Sequence, residues 1–260
     1  MGDQHSNGRV RFRDQVALVV GAAHGIGRAI ALRLGREGAQ VAIADIDSAA
    51  AKAVCREICA AGSDARPLSC DVRDAAQVES MVQQALDWHG RIDILMYIAG
   101  IAPSVPFLEL SAETWDNTVD TNLRGAFLVS KAVTTHMVAR QRGKLVFMAS
   151  TNSWDAEATL AHYNVSKSGV FLLAKTLARE LGPYSINSNA VGPGFIKTRL
   201  TEPLLNNVEA MKKYLPERGL IPLGRLGTPD DVAGPALFLA SEDAAYVNGV
   251  LLFVDGGQLA

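Results

Sequence analysis

Tyr163 and Lys167 stand four residues apart in the run Tyr163-Asn164-Val165-Ser166-Lys167, and Ser150 lies thirteen residues before the tyrosine. On a helix this spacing puts the phenol and the ammonium one turn apart on one face, so the two can act together. A clustered ammonium favours the phenolate and lowers a phenol's pKa, which would make Tyr163 a usable base near neutral pH. Ser150, at the end of the apolar run Lys144–Ala149, can bind and polarise the oxygen on which such a base works. Each residue alone has an ordinary structural explanation, and their combination is what points to chemistry. No Asp or Glu is placed to complete a Ser-His-Asp hydrolase, and His162 adjoins Tyr163 on the wrong side of the helix turn to replace Lys167.

A second constellation is Gly21-Ala22-Ala23-His24-Gly25-Ile26-Gly27, which follows the apolar run Val16–Val20 and opens a helical pattern at Arg28. Glycines so placed allow a tight strand-to-helix turn, the close approach of a pyrophosphate, and close helix packing, while the helix start offers free N–H groups to the anion. Asp45 ends the second apolar run, eighteen residues beyond Gly27. A carboxylate there accepts from both hydroxyls of an adenosine ribose and repels a 2′-phosphate, which predicts NAD rather than NADP. The glycine turn holds no Arg or Lys to receive that phosphate, since His24 precedes Gly25. Asp47 directly precedes a helix-forming run and is expected to cap it. Asp71, after the third run, reads as a turn residue or as a contact beside the adenine, and the contact is the preferred reading.

These residues need elements to position them. Short apolar or β-branched runs recur at Val16–Val20, Val41–Ala44, Ala65–Ser69, Ile92–Ile98, Lys144–Ala149, Ser185–Val191 and Val250–Val254, with helical patterns between most of them. The alternation predicts an α/β, single-domain, Rossmann-type doubly wound parallel sheet of about seven strands flanked by helices. Ligands in such a sheet bind at the carboxyl edge where strand order reverses. The expected organisation is a loose tail over residues 1–13 and one catalytic domain over 14–260, with a lid at about 199–220. Continuous helices are predicted over Glu113–Arg140 and Tyr163–Leu181, and their apolar excess predicts packing against another subunit.

Composition removes other classes. The chain has 260 residues, 48% hydrophobic and 20% charged, with a formal net charge of −2, which describes a globular protein with no general attraction for nucleic acid or an anionic membrane. Apolar stretches stop short of the roughly 20 residues of a membrane helix. Met1–Arg13 has no apolar core of a secretory signal, so a cytoplasmic location is expected. Cys55, Cys59 and Cys70 have no disulfide or metal spacing and are expected to be buried reduced thiols, with no metal bound.

Over residues 13–260 the sequence resembles a classical short-chain dehydrogenase/reductase. Gly21–Gly27 resembles the family's glycine motif, Cys70-Asp71-Val72 its adenine-side motif, and Asn122-Leu123-Arg124-Gly125 its catalytic asparagine motif. Ser150 with Tyr163–Lys167 resembles the Ser-Tyr-Lys core, and Gly192–Thr198 the motif that holds the nicotinamide. The resemblance implies reversible hydride transfer to NAD. It makes Tyr163 the general base, Ser150 the residue that polarises the substrate oxygen, Lys167 the holder of the nicotinamide ribose, and Asn122 the residue that positions a relay water. It places Ala99, Gly100, Pro193, Gly194, Ile196 and Thr198 along the cofactor and implies a homotetramer. Val20 stands where the family usually has Thr, and Tyr97-Ile98 where it has Asn-Asn, so the tie those asparagines make must be met differently.

Between Ser150 and Tyr163 the residues Asn152, Ser153, Asp155, Glu157, Thr159 and His162 are polar, and a site built from such groups disfavours apolar substrates. Trp154 and the pair His162-Tyr163 add a resemblance to NAD-dependent sugar 1-dehydrogenases, which implies oxidation of an aldose at its anomeric carbon to the lactone. Asn152, Trp154 and His162 are therefore the expected substrate contacts. From Lys197 to Arg218 there are five basic and three acidic residues, so Lys197 and Arg199 are expected to grip an acidic sugar. The alternatives are a polyol dehydrogenase, a carbonyl reductase acting on an acyl or other small ketone, and a cofactor-binding regulator without catalysis. Asp45 counts against the reductase, and the presence of Tyr163 and Lys167 against the regulator.

Overall fold

Val16–Val20 (β1) is five consecutive buried residues whose side chains alternate between two cores: Ala17 and Val19 face one, Leu18 and Val20 the other. A strand covered on both faces must be apolar throughout, which is why this run does not alternate with polar residues. The computed structural model describes residues 10–202 and 220–260. In chain order β1 is followed by α1 (Gly25–Arg36), β2 (Gln40–Asp45), α2 (Ser48–Ala60), β3 (Ala65–Ser69), α3 (Ala75–His89) and β4 (Ile94–Tyr97). Then come α4 (Ala112–Val119), a π turn (Asp120–Arg124), α5 (Gly125–Arg140), β5 (Gly143–Met148), α6 (Ala161–Leu181), β6 (Ile186–Pro193), α7 (Pro229–Ala240) and β7 (Leu251–Val254).

The seven strands form one sheet in the order β3-β2-β1-β4-β5-β6-β7, all neighbours parallel. The fold is a single-domain α/β Rossmann-type sheet. From β1 the chain runs outward to β2 and β3, then returns to place β4 on the other side of β1, so the switch point lies between β1 and β4. Helices α1, α2 and α7 cover one face through Ile30, Leu34, Ile58 and Leu237, while α3, α5 and α6 cover the other through Met81, Val129, Val133 and Val170. Caps set the helix starts: Asp47 accepts from Ala50 N and Asp74 from Ala76 N, and Thr228 forms a capping box with Asp231.

Three expectations change. The helix read as continuous over Glu113–Arg140 is interrupted by the π turn, which carries Asn122. Residues 10–13 are not loose: Phe12 is fully buried, its N–H donates to the Glu37 carbonyl, and Arg11 Nε donates to Glu37 Oε2 at 2.5 Å. Cys55 and Cys70 are buried, and burial pushes both thiols up to about 12, but Cys59 is exposed. Most of the expected lid, residues 203–219, lies outside the described residues.

Candidate active site

A cavity of about 960 Å³ opens at the carboxyl edge of the sheet, and it runs from the glycine turn past the switch point to α6. At its first end Gly21 adopts φ +81°, and a Cβ there would stand 2.5 Å from Ala99 N. A Cβ on Gly27 would stand 2.0 Å from the Gly21 carbonyl oxygen, so the turn closes this tightly only on glycine. His24 occupies the N-cap of α1 without capping it, and the first N–H groups of the helix are left to the cavity. These features fit the pyrophosphate of a dinucleotide. Asp45 is held at the rim, its Oδ2 accepting from Ala23 N at 2.9 Å and its Oδ1 from Asp47 N at 3.0 Å.

The adenine side has a partner that the sequence reading missed. Arg73 forks onto Asp71, with Nη2 to Oδ2 at 2.6 Å and Nε to Oδ1 at 2.9 Å, and it also donates to Asn117 Oδ1. The guanidinium holds the Asp71 carboxyl below its ordinary range. The signal was present in the spacing Asp71-x-Arg73. Asp71, Val72, Ala99, Gly100, Pro193, Gly194, Ile196 and Thr198 all line the same cavity as the glycine turn and Asp45.

At the other end, β5 delivers Ser150 and the first turns of α6 deliver Tyr163 and Lys167, all three lining the cavity. Ser150 caps the 3-10 turn Thr151–Ser153. Lys167 is buried, its Nζ donates to the Met148 carbonyl at 2.6 Å, and desolvation lowers its pKa to about 8. Burial pushes the Tyr163 phenol above its ordinary value, with hydrogen bonding to Ser150 pulling against it and Glu157 adding to it. The expected depression of the phenol by Lys167 is outweighed by burial here: the ammonium directs one N–H to Met148 and lies 5.6 Å from the ring centre. Asn122 is fully buried; its Nδ2 donates to the Ile101 carbonyl at 3.0 Å and to Ser166 Oγ at 2.9 Å, and its Oδ1 accepts from Ile101 N at 2.8 Å. It thus ties the loop after β4 to α6 beside Lys167.

The missing Asn-Asn pair has a replacement. Tyr97 is buried, and its hydroxyl donates to the Thr121 carbonyl in the π turn at 2.6 Å, joining β4 to the helix that carries Asn122.

Substrate candidates separate. Asn152 lines the cavity, as do Glu157 and Thr159, whereas Trp154 is 76% exposed and Ser153, Asp155 and His162 are not on its wall. His162 is fully buried, and desolvation lowers its pKa, with the Pro103 main chain pulling the other way. Lys197 is exposed and off the cavity. Arg199 does line it, but at the glycine turn, where its Nη1 lies 2.8 Å from His24 Nε2. The anion grip expected of Lys197 and Arg199 is thus not assembled, because one side chain faces solvent and the other faces the cofactor end. Among the described residues no group of three His, Cys, Asp or Glu could hold a metal, and no helix is long and apolar enough to cross a membrane.

A Rossmann sheet with this glycine turn and a Ser-Tyr-Lys cluster along its carboxyl edge defines an NAD(P)-dependent oxidoreductase acting on CH–OH or carbonyl groups. A family profile described as enoyl-(acyl carrier protein) reductase matches residues 21–258. The chain belongs to the short-chain dehydrogenase/reductase family. It is 39% identical over 247 residues to (2S)-[(R)-hydroxy(phenyl)methyl]succinyl-CoA dehydrogenase subunit BbsD of Thauera aromatica, covering 95% of this chain and 97% of that one. It is also 39% identical over 249 residues to L-rhamnose 1-dehydrogenase (NAD(P)(+)) of Azotobacter vinelandii, covering 94% and 96%. The crystal structure of levodione reductase superposes with a TM-score of 0.91 at 33% identity, covering 95% of this chain and 98% of that chain.

Proposed function

We propose that the protein is a cytoplasmic, NAD-preferring dehydrogenase of a sugar or polyol, oxidising an aldose at its anomeric carbon, and that it works as a homotetramer. The observation that carries the substrate class is the wall facing Ser150 and Tyr163, where Ser104, Asn152, Glu157 and Thr159 line the cavity together. Ser104 Oγ and Thr159 Oγ1 are 2.7 Å apart, a pair of hydroxyls that several substrate hydroxyls can join. A wall of hydroxyl, amide and carboxylate groups suits a polyhydroxylated substrate better than an apolar one. The L-rhamnose 1-dehydrogenase relative supports the reading.

In the forward reaction Ser150 donates to the substrate oxygen and Tyr163 takes its proton, while Lys167 sets the charge beside them. The glycine turn, Asp45 and the Pro193–Thr198 segment would hold NAD, which when bound would supply the hydride acceptor. Asp45 supports NAD, as its carboxylate is fixed at the rim by two main-chain N–H groups. Exposed Phe127 on α5 and Val165 and Leu172 on α6 support burial of that face against a second copy.

The second reading is a reductase of an acyl ketone, favoured by the apolar Leu160 and Leu200 on the same cavity and by the succinyl-CoA dehydrogenase relative. NADH formation across neutral and acidic aldoses, polyols and simple secondary alcohols, set beside reduction of 3-oxoacyl thioesters, decides between them. Faster turnover of an aldose or polyol than of the other classes is the expected result; no preference over simple alcohols would overturn the sugar reading.

A further inference from the structure

Asn164 follows Tyr163 on α6, and its Nδ2 donates to the Glu157 carbonyl at 2.9 Å. A carbonyl oxygen only accepts, so this contact fixes which way the Asn164 amide faces. Its Oδ1 therefore turns to Asn152, whose Nδ2 donates to it at 2.7 Å. With that end engaged, Asn152 presents its Oδ1 to Ser150 and accepts the serine hydroxyl proton at 3.1 Å. The Asn152 main-chain N–H donates back to Ser150 Oγ, also at 3.1 Å. The direction of every bond from Glu157 to Ser150 thus follows from one obligatory acceptor at the far end.

Ser150 has a single proton, and this chain aims it at Asn152. While that proton stays on Asn152, the downward pull that a Ser150 hydrogen bond exerts on the Tyr163 phenol is not in force, and it is gained only when the serine turns from Asn152 to the tyrosine. A serine proton turned to Tyr163 would instead favour the phenolate, since a hydrogen bond to the charged form stabilises it. We propose that Asn152, oriented by Asn164, is a positioning residue that withholds the Ser150 proton from Tyr163 and keeps Tyr163 protonated until a substrate oxygen takes over as the serine's acceptor. The proposal rests on Ser150 and Tyr163 as the alcohol-oxidising pair and not on the sugar assignment.

Among the described residues the charged groups facing Tyr163 are Lys167 from its own helix and Glu157 from the preceding loop. His162, its neighbour, is held neutral near pH 7 by burial. The 3-10 turn Thr151–Ser153 and the loop over Ile98–Pro106 contain no titratable side chain. Asn152→Leu and Asn152→Ala leave these groups and the Asn164–Glu157 contact in place, so a change in the tyrosine's midpoint in them reports the serine proton.

The experiment is an ultraviolet difference titration of the phenolate in the full chain, comparing the unmutated protein with Asn152→Leu and Asn164→Leu. Each is read against the same protein carrying Tyr163→Phe, which isolates the one tyrosine. Freed from Asn152, the serine proton turns to Tyr163, and the midpoint falls by about one pH unit, the size of one hydrogen bond to a charge. Added apolar bulk alone would raise the midpoint, and simple structural damage would lower turnover without lowering it. Asn152→Ala gives the same reading should a leucine variant fail to fold. The acid limb of kcat/KM for whichever alcohol is oxidised should move down with the titration. An unchanged or raised midpoint in folded Asn152→Leu or Asn152→Ala overturns the proposal. Because the titration needs no substrate, it decides the matter even if every aldose fails.

Discussion

The Lys167 ammonium donates to the carbonyl of Met148, the last residue of β5, at 2.6 Å, and this bond ties α6 to the strand that leads into Ser150. The lysine is buried, and its pKa falls from an ordinary 10.5 to about 8. Between those values the unfolded chain binds more protons than the folded one, so this group makes stability rise with pH from about 8 to 10.5 and imposes a constant penalty below. Lys167→Met keeps an unbranched stem without the charge. At pH 7 it should relieve a penalty of about 3 kcal/mol while losing about 1 kcal/mol of hydrogen bonding. Thermal unfolding should then show the variant more stable at pH 7, with the gain shrinking toward pH 10.5, and turnover lost. A variant less stable at every pH would contradict this account.

Tyr163→Phe removes the proton acceptor and leaves a ring of nearly the same shape. kcat should fall by about 10² to 10⁴. Cofactor affinity, measured by fluorescence titration, should change little. Near-normal turnover would reject Tyr163 as the base.

Cofactor choice should follow Asp45, with Arg199 as a second influence. Arg199, whose Nη1 lies against His24, brings a guanidinium within reach of the same rim that Asp45 and Asp47 make acidic. The unmutated enzyme should show a higher kcat/KM with NAD than with NADP, and Asp45→Ala should narrow the ratio mainly through weaker NAD binding. In that background Arg199→Ala should lower kcat/KM for NADP more than for NAD, since a phosphate gains most from a guanidinium. Equal use of both cofactors by the unmutated enzyme would contradict the role of Asp45.

Tyr97→Phe tests the tie that replaces the family's asparagine pair. It deletes a buried hydroxyl from the Thr121 carbonyl and should cost about 1–2 kcal/mol, read as a fall of roughly 2–8 °C in Tm for a chain of this size. The loss should come with reduced kcat, because Thr121 adjoins Asn122 in the π turn. Unchanged stability would mean that the hydroxyl carries no such tie.

The strands, the glycine turn and the Ser150, Tyr163 and Lys167 cluster were legible in the sequence because each depends on short-range spacing: a run of apolar residues, glycines two and four apart, a helical turn. What was not legible depends on groups that meet across the fold. Arg199 reaches His24 across 175 positions, and no local pattern separates it from Lys197, which faces solvent two residues earlier. The Asn152–Asn164 contact needs the actual path of the loop between them. Trp154 and His162 were both expected to touch substrate, yet one is largely exposed and the other fully buried. The π turn was hidden for a different reason: apolar periodicity continues across Asp120–Arg124, and the extra residue shows only in hydrogen bonding.

That turn has a consequence for laboratory evolution. A π turn amounts to one residue more than a regular helix needs, so the segments on either side are out of phase by about 100°. Deleting one residue within Asp120–Arg124 would let α4 and α5 fuse into a continuous helix and would swing Asn122 away from Ile101 and Ser166. A library screened for heat resistance alone would therefore favour chains that have straightened this helix and lost the site. Screening at each round for a retained hydride-transfer signal would be needed to keep the irregularity.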